Sequence, residues 1–194
     1  MAEGGEVLRQ TSCLPVNVEH LLELQGVEKQ RVEFKKAWHG RTHGGSYWQI
    51  LHTICAFAND FYNDNGGYIV IGVEEETDTN ADRQAKLPPF GVVPLALDRI
   101  QKEIFGACRG DIKPTFTPVV SPEMCQGKHL LVIWVRASQC GALQARESAK
   151  GEHRYYIRKG TETTKATPEE TSQLIRQHST IPFDDRSAVF SLGR

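Results

Sequence analysis

The stretch Gly66–Glu74, with the sequence GGYIVIGVE, decides the fold of this chain. Between the glycine pair and the closing glutamate it contains no charged residue and none of the polar alternation of a surface strand. A short, continuous apolar run of this kind is typical of a strand that is buried on both faces. We therefore predict a central strand over Tyr68–Val73, and we interpret Gly66 and Gly67 as residues required by turn geometry and close packing.

The glycine pair does not form a phosphate-binding loop. Such loops follow a strand and open a helix. Here the turn cluster DFYNDNGG at 60–67 follows a predicted helix and leads into the strand, so the order is helix, loop, strand. The sequence therefore predicts neither a Walker loop nor a dinucleotide fingerprint.

The elements around the central strand follow a mixed order. Apolar spacing predicts helices over 18–25, 47–59, 95–108 and 168–178, the last with Thr167, Pro168 and Glu170 as a capping box. Further strands are predicted over 31–35, 116–120, 129–137 and 154–158, and a loop or hairpin over 74–89. This order favours an α+β fold, a mixed and largely antiparallel sheet with helices packed against it, over a doubly wound parallel fold.

Length and composition are those of one globular domain with tails. The chain has 194 residues, 39% of them hydrophobic and 24% charged, which excludes a disordered chain. We expect a flexible tail over 1–18, the domain over 19–180, and a linker over 181–194 to a further C-terminal region. The net charge of −1 neither supports nor excludes a nucleic-acid partner, since a local patch matters more than the sum.

The cysteines and the apolar segments bear on the cellular location. The five cysteines are scattered and form no Cys-x-x-Cys pair, a pattern typical of reduced thiols in a cytoplasmic protein. No apolar run approaches the roughly 18–20 residues that a membrane span needs. The first residues also lack the basic and apolar regions of a secretory signal. We therefore predict a cytoplasmic location and no membrane partner.

Three glutamates, Glu28, Glu33 and Glu74, are candidates for catalysis and metal binding. Glu33 lies on the polar face of its predicted strand and Glu74 ends the central strand, so the two approach each other if these strands are neighbours. Glu28 joins them only if the chain bends in between. Converging carboxylates hold Mg²⁺ or Mn²⁺, which activates water at a phosphodiester, and Lys35 would stabilise the transition state. The alternative is that these are ordinary surface glutamates.

The basic and aromatic segment HRYYIRK at 153–159 is the second candidate site. With Ile157 facing the core, Arg154, Tyr156 and Arg158 share the outer face of the predicted strand. Arginines beside an exposed tyrosine suit contacts to a phosphate backbone and the stacking of bases. The predicted nucleic-acid-binding set also contains Lys35, Lys36, Arg41 and Lys159. The alternative is a charged sheet edge that resists aggregation.

Several motifs, taken in order, carry a family resemblance. They are Glu28-x4-Glu33-Phe34-Lys35, ICAFAN at 54–59, Gly66–Glu74, RYYIRKG at 154–160, Thr167-Pro168-Glu169-Glu170 and Pro182-Phe183-Asp184-Asp185. In this order they resemble the Schlafen-type AlbA domain of bacterial transcriptional regulators of the divergent AAA type. The resemblance covers about residues 20–185.

The resemblance implies an α+β domain described as DNA-binding, which in the bacterial regulators precedes an ATPase-like region and a winged helix. We therefore expect a nucleic-acid-binding module, the N-terminal domain of a transcriptional regulator, with DNA or RNA as its partner. Animal Schlafen proteins use related domains as metal-dependent RNA endonucleases. Their carboxylates correspond to Glu28, Glu33 and Glu74 of this chain.

Two alternatives stay open beside the binding module. The first is a Mg²⁺- or Mn²⁺-dependent endonuclease that acts on RNA or single-stranded DNA. The second is a non-catalytic oligomerisation domain, with a homodimer as its assembly. No cofactor is expected unless the chain is a nuclease.

Overall fold

The computed structural model describes residues 14–24, 30–41, 45–77 and 83–179 of the chain. The helices in these residues are α1 (Val18–Glu23), α2 (Gly45–Asn59), α3 (Leu97–Asp111) and α4 (Pro168–Ser179), with a short 3-10 helix at Pro94–Ala96. The strands are β1 (Val32–Lys35), β2 (Gly67–Ile71), β3 (Glu75–Thr77), β4 (Arg83–Ala85), β5 (Ile112–Lys113), β6 (Val119–Cys125), β7 (Lys128–Val135), β8 (Gln144–Arg146), β9 (His153–Lys159) and β10 (Glu162–Lys165). The predicted α+β class is confirmed.

The apolar strand β2 lies inside a four-stranded central sheet of order β1-β2-β7-β6. It pairs in parallel with β1 and antiparallel with β7, and every one of its residues is buried. Gly66 has φ +76°, and a Cβ there would overlap the backbone oxygen of Val135, while a Cβ on Gly67 would overlap the ring of Phe57. The predicted packing role of the two glycines is therefore confirmed.

A second sheet packs on the opposite side of α2, and the sequence did not predict it. Its order is β10-β9-β8-β5, and all its pairings are antiparallel. Only β9 was expected, because the other three strands have two to four residues and carry few apolar side chains. The polar segment after Glu74 forms the small β3-β4 hairpin, one of the two predicted forms.

Helix α2 is buried between the two sheets. Its apolar residues share one core with inward residues of the central sheet and with Ile112, Ala145 and Tyr156 of the second sheet. Helix α1 covers the other face of the central sheet, where Leu14 and Val16 also pack. The Thr167–Glu170 capping box opens α4 as predicted, with hydrogen bonds of 2.9 and 3.3 Å. None of the described helices is long and apolar enough to cross a membrane.

Asn59, the last residue of α2, joins the helix to the second sheet. Its side-chain nitrogen donates to the carbonyls of Leu143 (3.0 Å) and Tyr156 (2.8 Å), and its side-chain oxygen accepts from the Leu143 amide (2.6 Å). Asn59 is 1% exposed, so these backbone groups have no access to water. The asparagine thus satisfies buried polar groups that the strand pairing leaves open.

We predict that Asn59→Ala lowers the free energy of unfolding by about 2–4 kcal/mol, because the Tyr156 carbonyl and the Leu143 amide lose their hydrogen bond from Asn59 and the Leu143 carbonyl keeps only the Cys55 thiol. Urea denaturation monitored by circular dichroism measures the change. The matched control is Gln139→Ala, which removes an amide from an exposed position. Equal urea midpoints for Asn59→Ala and the wild type would show that the hydrogen bonds contribute nothing.

Candidate functional site

A polar cleft of about 300 Å³ opens where the edge strands of the two sheets face each other across α2. Strand β1 forms one wall, β9 and β10 form the other, and the first half of α2 forms the floor. The lining residues are Glu33, Lys35, Gln49, His52, Thr53, Arg158, Thr161, Glu162 and Thr163. Three of the nine lining residues, Glu33, Lys35 and Arg158, were predicted from the sequence as site residues, and the other six were not.

The carboxylate of Glu33 lies between two cations on the wall of the cleft. Its Oε1 is 2.6 Å from Lys35 Nζ, and its Oε2 accepts a 2.9 Å hydrogen bond from Arg158 Nη2. The alternation of β1 causes this arrangement, since Val32 and Phe34 pack into the core on the opposite face of the sheet. Glu33 and Lys35 are thereby turned towards α2 and the second sheet.

Arg158 spans from β9 to β1 and is held at every nitrogen of its guanidinium group. Its Nε donates to the carbonyl of Gln30 (3.2 Å) and its Nη1 to Thr163 Oγ1 (3.0 Å). The group also lies 5.1 Å from the centre of the Phe57 ring. Since the Arg158 and Glu33 side chains are each only 9% exposed, this ion pair is a buried link between the two sheets.

The floor of the cleft carries neutral polar groups. Thr53 Oγ1 is 3.2 Å from Thr163 Oγ1, and the ring of His52 stacks on that of Tyr156 at 3.9 Å between centres. His52 Nε2 donates to the carbonyl of Arg146 (3.0 Å), and burial lowers the pKa of His52. The imidazole is therefore neutral at pH 7. The charge of the cleft comes from its walls.

Two of the predicted carboxylates, Glu33 and Glu74, have different ion-pair partners. Glu74 is 3.1 Å from Lys36 Nζ and 3.8 Å from Lys86 Nζ, whereas Glu33 is paired with Lys35 and Arg158. Glu28 lies outside the described residues. No group of three His, Cys, Asp or Glu side chains that could hold a metal occurs among the residues described. The metal site at Glu28, Glu33 and Glu74 therefore stays a prediction.

The predicted basic face on β9 is only partly exposed. Arg154, Tyr156 and Arg158 share one face as expected, but α2 covers that face, so Tyr156 is 3% and Arg158 8% exposed. The expectation that Tyr156 and Arg158 lie on an outer surface is wrong. The physical reason is the second sheet itself: a strand between α2 on one side and α4 on the other has no outer face at these positions.

The remaining predicted cations lie apart from the cleft. Arg154 is 2.7 Å from Glu152, Lys159 is 2.7 Å from Glu170, and Arg41 is 3.4 Å from the buried Asp111. Arg154 lines a separate groove of about 530 Å³ together with Lys165 and Tyr155. The predicted set is thus divided over several surfaces, and Lys35 and Arg158 are its members in the cleft.

Sequence reasoning missed the threonines and the helix residues of the cleft. Thr161 and Thr163 belong to the polar segment TETT, which has no apolar alternation to mark it as a strand. Gln49, His52 and Thr53 lie in a helix that was predicted, but the cleft side of that helix depends on where the second sheet packs. No local signal identifies them.

The buried thiols of Cys55 and Cys108 are unsuited to nucleophilic chemistry. Burial raises the pKa of both Cys55 and Cys108 to about 12, so each is protonated at neutral pH. Cys125 is also buried, and Cys140 is exposed.

Two sheets around a buried helix, with a charged cleft where their edge strands face each other, define an α+β domain. The model of the Schlafen AlbA_2 family matches residues 28–167, more than half of the chain, and the protein belongs to this family. No curated protein matches the chain.

Two solved structures are similar in fold. One is the solution structure of the N-terminal domain of a protein from Nitrosomonas europaea named as related to the ATP-dependent DNA helicase RecG, with 21% identity and a TM-score of 0.50 over 77% of this chain and 90% of that one. The other is the DIP2311 protein from Corynebacterium diphtheriae, with 19% identity and a TM-score of 0.49 over 81% of this chain and 30% of that one. At 21% identity the likeness to the first of these extends to the fold.

We predict that Arg158→Met lowers the free energy of unfolding by about 2–3 kcal/mol, because Glu33 is left buried with Lys35 as its remaining cation. The double variant Glu33→Gln/Arg158→Met should recover part of this loss, since no buried charge is then uncompensated. Guanidinium unfolding of the wild type, both single variants and the double variant gives the coupling energy. Strictly additive effects would show that the two side chains do not interact.

Proposed function

We propose that this chain is a nucleic-acid-binding domain that holds a phosphate backbone in the cleft between β1 and β10. The observation that carries the proposal is the pair of cations, Lys35 and Arg158, on opposite walls of one open polar cleft. Backbone phosphates in protein complexes are bound by such lysines and arginines together with hydroxyl groups.

The cleft is suited to phosphate because its donors are already held in position. Arg158 is fixed by Gln30, Thr163 and Glu33, so little side-chain entropy is lost on binding. The Lys35 side chain is 21% exposed and pairs, among the described residues, with Glu33 alone, so its ammonium group can turn from Glu33 to a phosphate oxygen. The hydroxyls of Thr53 and Thr163 supply neutral donors between the two cations.

Membership of the Schlafen AlbA_2 family supports a nucleic-acid ligand. We propose that the chain is the N-terminal domain of a transcriptional regulator. The similar domain from Nitrosomonas europaea comes from a protein named for a DNA helicase, which points the same way. We further propose a cytoplasmic location, in keeping with the free cysteines of the described residues. The homodimer stays a prediction.

We predict that the wild type binds both RNA and DNA oligonucleotides with an affinity whose logarithm falls linearly with the logarithm of salt concentration. Lys35→Ala should weaken binding and reduce the salt slope by about one unit, because one phosphate contact is lost. Fluorescence anisotropy between about 50 and 200 mM salt measures both quantities.

The control is Lys102→Ala, which removes an exposed lysine that pairs with Asp98 on α3. Both variants lose one positive charge, so a difference between them reports the position and not the net charge. Binding that is absent at low salt, or that both variants weaken equally, would contradict the placement of phosphate in the cleft.

The second candidate function is a Mg²⁺- or Mn²⁺-dependent endonuclease, and the position of Glu33 favours it. Its carboxylate lies on the cleft wall 2.6 Å from Lys35, so a phosphate beside Lys35 would also be beside a hard oxygen ligand. Oxygen donors fit Mg²⁺ and Mn²⁺ chemically, and Glu33, Glu74 and Glu28 are the residues that would hold the ion. A bound divalent cation would supply an activated water and neutralise charge on the phosphodiester.

For this candidate we predict cleavage of structured RNA or single-stranded DNA that requires Mg²⁺ or Mn²⁺ and stops with EDTA. Glu33→Gln should reduce the cleavage rate at least a hundredfold, because a metal ligand is lost while the shape of the side chain is kept. The matched control is Glu152→Gln, at a glutamate whose side chain is 77% exposed. Gel analysis of cleavage products decides between the two functions. Binding without cleavage supports the nucleic-acid-binding domain, and cleavage that is unchanged in Glu33→Gln indicates contamination.

A further inference from the structure

Phe90 is an aromatic side chain held outside the core. It lies in the segment between β4 and the 3-10 helix and is 63% exposed. Phenylalanine has no polar group that would favour such a position, so its exposure is a departure from the usual burial of large apolar residues. Pro89, directly before it, is buried.

The backbone around Phe90 is fixed, so the exposure of the ring does not come from a loose segment. The amide of Lys86 donates to the carbonyl of Glu74 (2.8 Å), and the amide of Gly91 donates to that of Gly72 (2.8 Å). The amide of Val92 donates to the carbonyl of His129 (2.7 Å). The segment is thus tied at both sides of Phe90 to the end of the central sheet.

A lysine lies over the ring. Lys36 Nζ lies 5.0 Å from the centre of the Phe90 ring, within the range of a cation–π interaction. Lys36 and Lys86 each contact one oxygen of Glu74, so two lysines and one carboxylate lie at this end of the sheet. An exposed ring beside lysines is the combination that single-stranded nucleic-acid sites use, with bases stacked on the ring and phosphates on the cations.

The ring lies at the end of the strand that forms the cleft wall. Lys36 directly follows Lys35, so their Cα atoms are about 3.8 Å apart, and the Lys35 side chain lines the cleft. The carbonyl of Lys35 also accepts hydrogen bonds from the amides of Gly72 (2.8 Å) and Val73 (3.2 Å), which fixes β1 against the turn that carries Glu74. Lys36, which contacts the Phe90 ring, is therefore the next residue along the chain after the cleft wall.

We propose that Phe90 is the stacking platform for one unpaired nucleobase of the strand whose phosphates occupy the cleft, with Lys36 and Lys86 on the flanking phosphates. The inference rests on the proposed function and adds to it a preference for single-stranded over fully paired nucleic acid. In a blunt duplex the interior bases are stacked on both sides, and only the two terminal pairs expose a face to the ring. The alternative is a structural role, in which the ring only packs on the aliphatic part of Lys36.

The experiment compares single-stranded RNA and DNA 12-mers with a blunt duplex of the same sequence, using fluorescence anisotropy. Phe90→Ala should weaken single-strand binding about five- to tenfold and leave duplex binding unchanged, since stacking on one ring is lost. Phe90→Trp should bind at least as tightly as the wild type, and Phe90→Leu should resemble Phe90→Ala. The matched control is Leu95→Ala, at an apolar and 95% exposed residue of the 3-10 helix that follows this segment.

The outcomes separate this inference from the proposed function. If the wild type binds neither single strands nor duplex, both are overturned. If the wild type binds and Phe90→Ala or Phe90→Leu binds single strands equally well, the stacking platform alone is overturned. A melting temperature from circular dichroism accompanies each variant: a lowered melting temperature with unchanged affinity establishes the structural role. If Phe90→Ala does not fold, the comparison of Phe90→Leu with Phe90→Trp decides.

Discussion

The burial of α2 between two sheets is the constraint on which the rest of this structure depends. A helix covered on two sides cannot leave polar groups unpaired, and Asn59 meets this requirement at its last residue by bonding to Leu143 and Tyr156. The sheets are kept apart by the helix, so they can be joined only at its side. The Glu33–Arg158 ion pair makes that connection between β1 and β9.

This connection also creates the cleft. Because Glu33 belongs to an edge strand of the central sheet and Arg158 to the second sheet, their contact lies at the open side of α2 and is bordered by Thr163 of the edge strand β10. The same side chains therefore stabilise the fold and line the site. Any anionic ligand in the cleft would have to compete with the internal ion pairs of Glu33.

Local features of the fold could be predicted because they depend on neighbouring residues in the chain. The apolar spacing of α2, the capping box of Thr167 and Glu170, and the continuous apolar run of β2 each carry their own signal. The strands β5, β8 and β10 carry none, because short polar segments become strands only when a partner supplies their hydrogen bonds. The prediction that Tyr156 is exposed was wrong for a related reason, because the exposure of a residue on β9 depends on which elements cover that strand.

The fold class, a buried strand within Gly66–Glu74, and the candidates Glu33, Lys35 and Arg158 were predictable from the sequence, although the strand ends at Ile71 and not at Val73 as predicted. The tertiary structure decided which of them meet. Glu33 and Arg158 are 125 positions apart along the chain, and no periodicity relates them. The tertiary structure also pairs Glu74 with Lys36 and Lys86, and Lys36 contacts the ring of Phe90. Contacts between distant segments depend on how sheets pack on a shared helix, and that packing is a property of the whole chain.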